Sequence, residues 1–141
     1  MLLGVAVTLV LETLIVFGIM GPLFEAFLPQ NPSAGAVWGA VLLVVPVAFS
    51  FYFGGMAAGY RARSRHALHG LIVVLALFVV SPALNLLALN SQQDPLPPIR
   101  GVQTIVILAV AAISAYVGAR RGKGLYEYNQ GHIRRQRSRQ E

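Results

Sequence analysis

"GGMAAGYRARSRHALHG", residues 54–70, passes from small apolar residues to arginines at 61, 63 and 65, then through two histidines back to apolar sequence. Read outward from this stretch, the chain resolves into long apolar segments joined by short polar turns. Of its 141 residues, 56% are hydrophobic and only 11% charged, with a mean hydropathy of +0.66. A soluble domain carries about 25% charged residues. A membrane span takes roughly 20 apolar residues to cross a ~30 Å hydrocarbon core. Four segments meet that length: 2–28 (interrupted by Glu12 and Glu25), 36–59, 67–89 and 101–119. The expected fold is all-α, a polytopic bundle of four transmembrane helices, followed by a basic tail over 120–141.

The first segment is expected to be a retained helix and not a secretory signal. It lacks a basic n-region, its apolar run exceeds the usual ~7–15 residues, and no small-x-small cleavage site follows. The absence of cysteine excludes disulfides, thiolate metal sites and palmitoylation.

Charge sets the expected orientation. The turn "PQNPSAG" between the first two segments has no charge, and "NSQQDPLPPIR" between the last two holds one basic residue, Arg100. Arg61, Arg63 and Arg65 lie in the other turn, and Arg120, Arg121, Lys123, Arg134, Arg135, Arg137 and Arg139 in the tail. Basic residues stay on the cytoplasmic side. Both termini and the arginine turn are therefore expected inside, in a prokaryotic cytoplasmic membrane, with 29–35 and 90–100 outside. Tyr60 stands where an interfacial aromatic anchor would.

The small residues before the arginines call for a different cause. Lipid gives helices no hydrophobic reason to associate, so close backbone approach and van der Waals contact take over. Gly55 and Gly59 are spaced G-x-x-x-G, and Ala58 lies one turn beyond Gly54. Gly35 with Gly39, and Gly118 with Gly122, repeat the spacing. Packing within the bundle is the favoured reading over dimerisation.

The run formed by Gly54, Gly55, Ala58, Gly59 and Tyr60, a basic turn, then His69 and Gly70, resembles a type of small four-helix membrane protein from bacteria and archaea. That type is known as domains of unknown function. The pattern covers about a third of the chain, and the resemblance implies a fold and a membrane location without an activity. A helix-1 glutamate also invites comparison with small multidrug transporters. Those proteins are shorter, and this chain lacks their aromatic and glycine motifs.

The halves of the chain echo each other. "SFYFG" at 50–54 pairs with "SAYVG" at 114–118, and Pro22 with Glu25 matches Pro82 with Asn85, at offsets of 64 and 60. Such matches would suit a 2+2 parallel repeat about an axis along the membrane normal.

Few residues carry chemistry. An acidic group at the centre of a membrane helix costs about 3 kcal/mol and so faces the bundle interior. Glu12 is thus expected to be a protonated packing residue bonded to Ser50, Tyr52, Ser114 or Tyr116; the sharper alternative is proton or cation coupling. Pro46 and Pro82 are expected to kink their helices. Glu25, Asn85, Gln103 and Thr104 are candidates for an outer polar vestibule. His66 and His69, at i and i+3, lack further ligands for a metal, and an interfacial pair is expected. No motif of a hydrolase, phosphate loop or zinc peptidase occurs. Neither catalysis nor a cofactor nor a metal is expected.

The tail's basic residues are attracted to anionic headgroups by about 1 kcal/mol each. Arg61, Arg63, Arg65, Arg120, Arg121 and Lys123 are the expected lipid contacts. Electrostatics alone would allow nucleic acid at "RRQRSR", but no folded reading module accompanies it and that partner is not expected. The leading expectation is a non-enzymatic accessory or structural subunit that packs against other membrane proteins; the expected partners are other membrane subunits or a homo-oligomer, and an isolated homo-oligomer would favour the alternative. The alternative is a small proton- or cation-coupled transporter or channel using Glu12 as an oligomer.

Overall fold

The computed structural model describes residues 2–23, 32–62, 64–89 and 101–137, with 17, 32–43, 80–89 and 101–103 described by backbone alone. Among the described residues the protein is all-helical, with four helices and no strand. Helix α1 (Leu2–Ile15) runs into a π-helical turn, Val16–Met20. There the Gly21 N–H donates to the Val16 carbonyl, five residues back. Helices α2 (Pro32–Arg61), α3 (His66–Leu89) and α4 (Gly101–Arg137) follow. Two helical stretches, Leu2–Leu23 and Thr104–Arg137, are long and apolar enough to cross a membrane; His66–Val79 is a shorter apolar stretch. Helix α4 continues unbroken past 119, where its apolar sequence stops, to Arg137.

The direction of the chain follows from which backbones meet. A Cβ built on Gly55 would strike the Ala115 backbone, and one on Gly59 the Ala119 backbone, so α2 and α4 lie parallel. Reciprocally, Gly118 faces the Tyr52 carbonyl and Gly122 the Met56 carbonyl. Each helix thus lays a G-x-x-x-G face on the other's backbone, the approach that small residues permit. Helix α3 packs against both: Gly70 lies under Ala115 and Ala119, its Cβ position 2.7 Å from the Ala115 carbonyl oxygen. Helix α1 packs mainly on α2, antiparallel to it, with Gly4 against Gly54 and Ala58.

The resulting core is made of small side chains. Ala58, Ala111, Ala115 and Ala119 are buried, together with Val47, Phe51, Val73, Val74 and Leu77. The bulk points the other way: Leu14, Val45, Leu75, Val79, Ile105 and Ile113 are each more than 60% exposed. Pro46 sits inside α2 and has no N–H to offer the Leu42 carbonyl.

Candidate functional site

Two places in the bundle gather the polar side chains. The first is the end where α2 stops. An α-helix leaves its last four carbonyls without intrahelical partners. Ala58 still receives the Ala62 N–H at 3.1 Å. The next carbonyl, Gly59, accepts instead from His66 Nδ1 at 2.7 Å. A carbonyl only accepts, so this ring nitrogen carries a hydrogen. His66 therefore caps α2 from the start of α3, and an imidazole at a helix C-terminus also suits the dipole.

The connection is tight. Arg65 adopts a left-handed conformation, φ 50°, the only non-glycine residue with positive φ among those described. Its carbonyl accepts from Leu68 N–H at 2.9 Å and from His69 Nδ1 at 3.2 Å. The two histidines are thus engaged separately, each with a backbone carbonyl. Among the described residues no three acidic or histidine side chains gather to hold a metal ion. Arg61, Arg65, Arg120, Arg121 and Lys123 are all exposed around this end, and Arg63 lies outside the described residues.

Tyr60, the last aromatic of α2, meets the continuation of α4. Its ring contacts Tyr126 edge-on at 6.0 Å, and Asn129 Nδ2 donates to its hydroxyl at 3.0 Å. On α4 itself, Arg120 lies 5.8 Å over the Tyr116 ring, Lys123 pairs with Glu127 at 3.6 Å, and Tyr128 contacts His132 at 4.5 Å.

The second place is a ladder between α1 and α2. Thr8 is fully buried and donates to the Gly4 carbonyl at 2.9 Å, within its own helix. Its Oγ1 occupies the space where Gly54 would carry a Cβ. Gly4 lies with Ala58 and Thr8 with Gly54, and four more residues along each antiparallel helix bring Glu12 level with Ser50. Glu12 is half-buried. Ser50 is wholly buried, and its Oγ has no hydrogen-bond partner among the described residues. Tyr52 and Ser114 are half-buried and Tyr116 is exposed. Beside the ladder runs an apolar groove of about 500 Å³ between α1 and α2, lined by residues such as Val7, Val10, Phe49 and Phe53.

Of the other sequence candidates, Gly54, Gly55, Ala58 and Gly59 are buried in helix contacts. Thr104 is half-buried, Asn85 and Gln103 are described as helical backbone alone, and Glu25 lies outside the described residues. Sequence reading did not single out His66 as a cap, Tyr60 as a contact for Tyr126 and Asn129, or Thr8 as the filler of the Gly54 notch. Each depends on a neighbour 7 to 69 positions away. No protein-family model, curated protein or solved structure matches the chain.

Proposed function

We propose that this chain is a non-enzymatic integral membrane protein acting by assembly, an accessory or structural subunit packed against other membrane chains or copies of itself. The observation that carries the membrane reading is the inverted distribution of bulk. In water, large apolar side chains are buried and the exposed patch of a monomer stays small. Here branched aliphatics cover the outside while alanine and glycine fill much of the inside. Lipid as solvent accounts for both facts: the exterior needs no burial, and the interior needs only contact. In this reading all four helices cross the bilayer, both ends of the chain are cytoplasmic, and Arg61, Arg63, Arg65, Arg120, Arg121 and Lys123 meet anionic headgroups.

Assembly is supported by what α1 leaves open. It packs mainly on α2, and among the described residues nothing lies within 4 Å of its Gly18 and no side chain fills the groove beside it. The α2–α4 contact bears on the 2+2 repeat, since a shift of 63 maps Gly55·Ala115 onto Gly118·Tyr52 and Gly59·Ala119 onto Gly122·Met56, one residue short of the 64 that separates the matched sequences at 50–54 and 114–118. Against it, α3 contacts both α2 and α4 whereas α1 rests mainly on α2.

The deciding experiment is gentle detergent extraction of the native protein and mass measurement of the intact particle. A large co-purifying complex is expected; an isolated monomer would sink the reading. A cysteine at Val10, the sole thiol in a chain without one, should cross-link to a neighbour in membranes. Reporters after Glu141 should be active only in a cytoplasmic setting. The transporter alternative retains one specific observation, the Ser50 hydroxyl at the level of Glu12, which has no hydrogen-bond partner among the described residues.

A further inference from the structure

Helix α4 carries its basic residues in two groups. Arg120, Arg121 and Lys123 stand where α2 ends, and Arg134, Arg135 and Arg137 in the last turn. Between them the helix holds no other lysine or arginine. At 1.5 Å per residue, Arg134 is about 20 Å beyond Arg121 along the axis. With α4 tilted by as much as ~40°, the separation normal to a bilayer would still be roughly 15 Å. Charges separated by more than the ~8 Å Debye length are largely screened. If the first group lies at the headgroups, as the membrane reading requires, the second is beyond their reach.

Nor is the arm free to lie down. Gly122 is seated on the α2 backbone, Tyr126 on the Tyr60 ring, and Asn129 on the Tyr60 hydroxyl, which fixes the direction of α4 two turns past Arg121. An interfacial helix needs a continuous apolar face. Over 120–137 the aliphatic side chains larger than alanine are Leu125 and Ile133.

We propose that the end of α4 is a binding arm for single-stranded nucleic acid, held off the membrane by the Tyr60 contacts. Two further observations choose this occupant. The second basic group is all arginine, whose planar fork suits phosphate. Tyr128, His132 and Arg135 follow at i, i+4 and i+7 and so share one face. Tyr128 is 65% exposed and its ring is steadied edge-on by His132. Aromatic platforms interleaved with arginine bind single strands by stacking and charge, with little dependence on sequence. Glu127, immediately before the exposed Tyr128, is paired with Lys123 at 3.6 Å.

The test uses the full chain in nanodiscs of neutral phosphatidylcholine and a fluorescent mixed-sequence RNA of about 20 nucleotides, read by anisotropy over about 50–200 mM salt. Wild type should bind. R134Q/R135Q/R137Q should weaken binding at least roughly 10-fold and lower the salt slope by about 2, the value for three lost phosphate contacts on a single strand. R120Q/R121Q/K123Q should change it by less than about 3-fold. Tyr128→Ala should cost roughly 5-fold or more, through lost stacking. No binding by wild type, equal losses from the two triple variants, or equally tight binding of polyglutamate would overturn the proposal; the last would assign the arm to an acidic protein. Vesicle flotation after an alkaline wash tests the underlying reading separately. A chain that fails to float refutes the membrane placement, and one that floats yet ignores RNA refutes the arm alone.

Discussion

The contact between α2 and α4 and the contact between α1 and α2 are built from the same residue types and differ in outcome. Along α2–α4 every glycine in the contact faces backbone: Gly55 and Gly59 on one helix, Gly118 and Gly122 on the other. At the end of this seam the orphan Gly59 carbonyl is capped by His66. Along α1–α2 the same close approach holds at Gly4, Thr8 and Gly54, but a groove opens beside it and the Ser50 hydroxyl has no partner among the described residues. What flanks the small residues makes the difference. Both contacts are reciprocal, Gly4 and Gly54 each facing the other's carbonyl, but beside that pair Val7, Val10 and Leu11 of α1 and Phe49 and Phe53 of α2 line a gap. The closed seam reads as scaffold, and the open contact as the part of the molecule with something left to bind.

The largest expected effect comes from forcing the seam open. Gly59→Leu would drive a side chain into the Ala119 backbone, which has no rotamer to yield. Overpacking costs about 1–3 kcal/mol where neighbours can shift, and here the upper end or more is expected. The yield and thermal stability of Gly55→Leu and Gly59→Leu in detergent should collapse, while Gly18→Leu, with nothing within 4 Å among the described residues, should fold normally. Indifference to both seam substitutions would erase the distinction between the two contacts.

A moderate effect is expected at the seam's end. His66→Ala leaves the Gly59 carbonyl without its donor, in a part-buried site. An unsatisfied buried acceptor costs about 1–3 kcal/mol, and solvent access at this end brings the expectation to about 1 kcal/mol, or a melting shift of roughly 3 °C. Unchanged melting would mean that water replaces the imidazole and that the cap adds nothing to the seam.

A smaller effect, of opposite sign, is expected in the turn. Arg65 holds φ 50°, a conformation that costs an L-residue about 1–2 kcal/mol. Arg65→Gly relieves that strain but adds freedom to the unfolded chain. A net gain of about 0.5 kcal/mol is expected, read as a slightly higher melting temperature. A loss would show that the guanidinium itself holds the turn.

How much of this was legible follows from the same comparison. The glycine faces show in the sequence because G-x-x-x-G is a local spacing. Which face meets which does not, since Gly55 finds Ala115 only through tertiary packing. The α4 arm was hidden because Gly122, Gly124 and Gly131 read as breakers. A helix already nucleated upstream propagates cheaply, and Gly122 is there for its missing side chain, flat against Met56 and Tyr60. Between Gly4 and the π turn at Val16–Met20 the sequence holds no proline or glycine, and nothing ahead of the turn announces it. At the buried ladder, Glu12 stands out as an acid in an apolar run, and Ser50 was one of four candidates for its partner; the register set by Thr8 and Gly54 is what brings these two level.

The smallest expected effect on folding, and the sharpest on function, is Glu12→Gln. Glutamine keeps the length and hydrogen-bonding capacity of a protonated glutamic acid. If Glu12 is a neutral packing group on the open side of α2, melting should move by less than about 0.5 kcal/mol, the range of a substitution that breaks no buried network. Assembly, judged by the mass of the extracted particle, should also be unchanged. If Glu12 couples transport, folding should again be preserved, but any pH-driven flux in reconstituted vesicles should vanish, because the titrating proton is gone. The wild-type vesicles decide which case applies. Flux with a cation gradient in wild type, abolished by Glu12→Gln, would move the function from assembly to coupling and make the open contact a pathway. Absence of flux in both, with intact assembly, is the expected result, since Glu12 is the one acidic residue among the described residues of α1, α2 and α3. A relay needs a second titrating group at that depth; a hydroxyl such as Ser50 can pair with the carboxyl but cannot carry its charge.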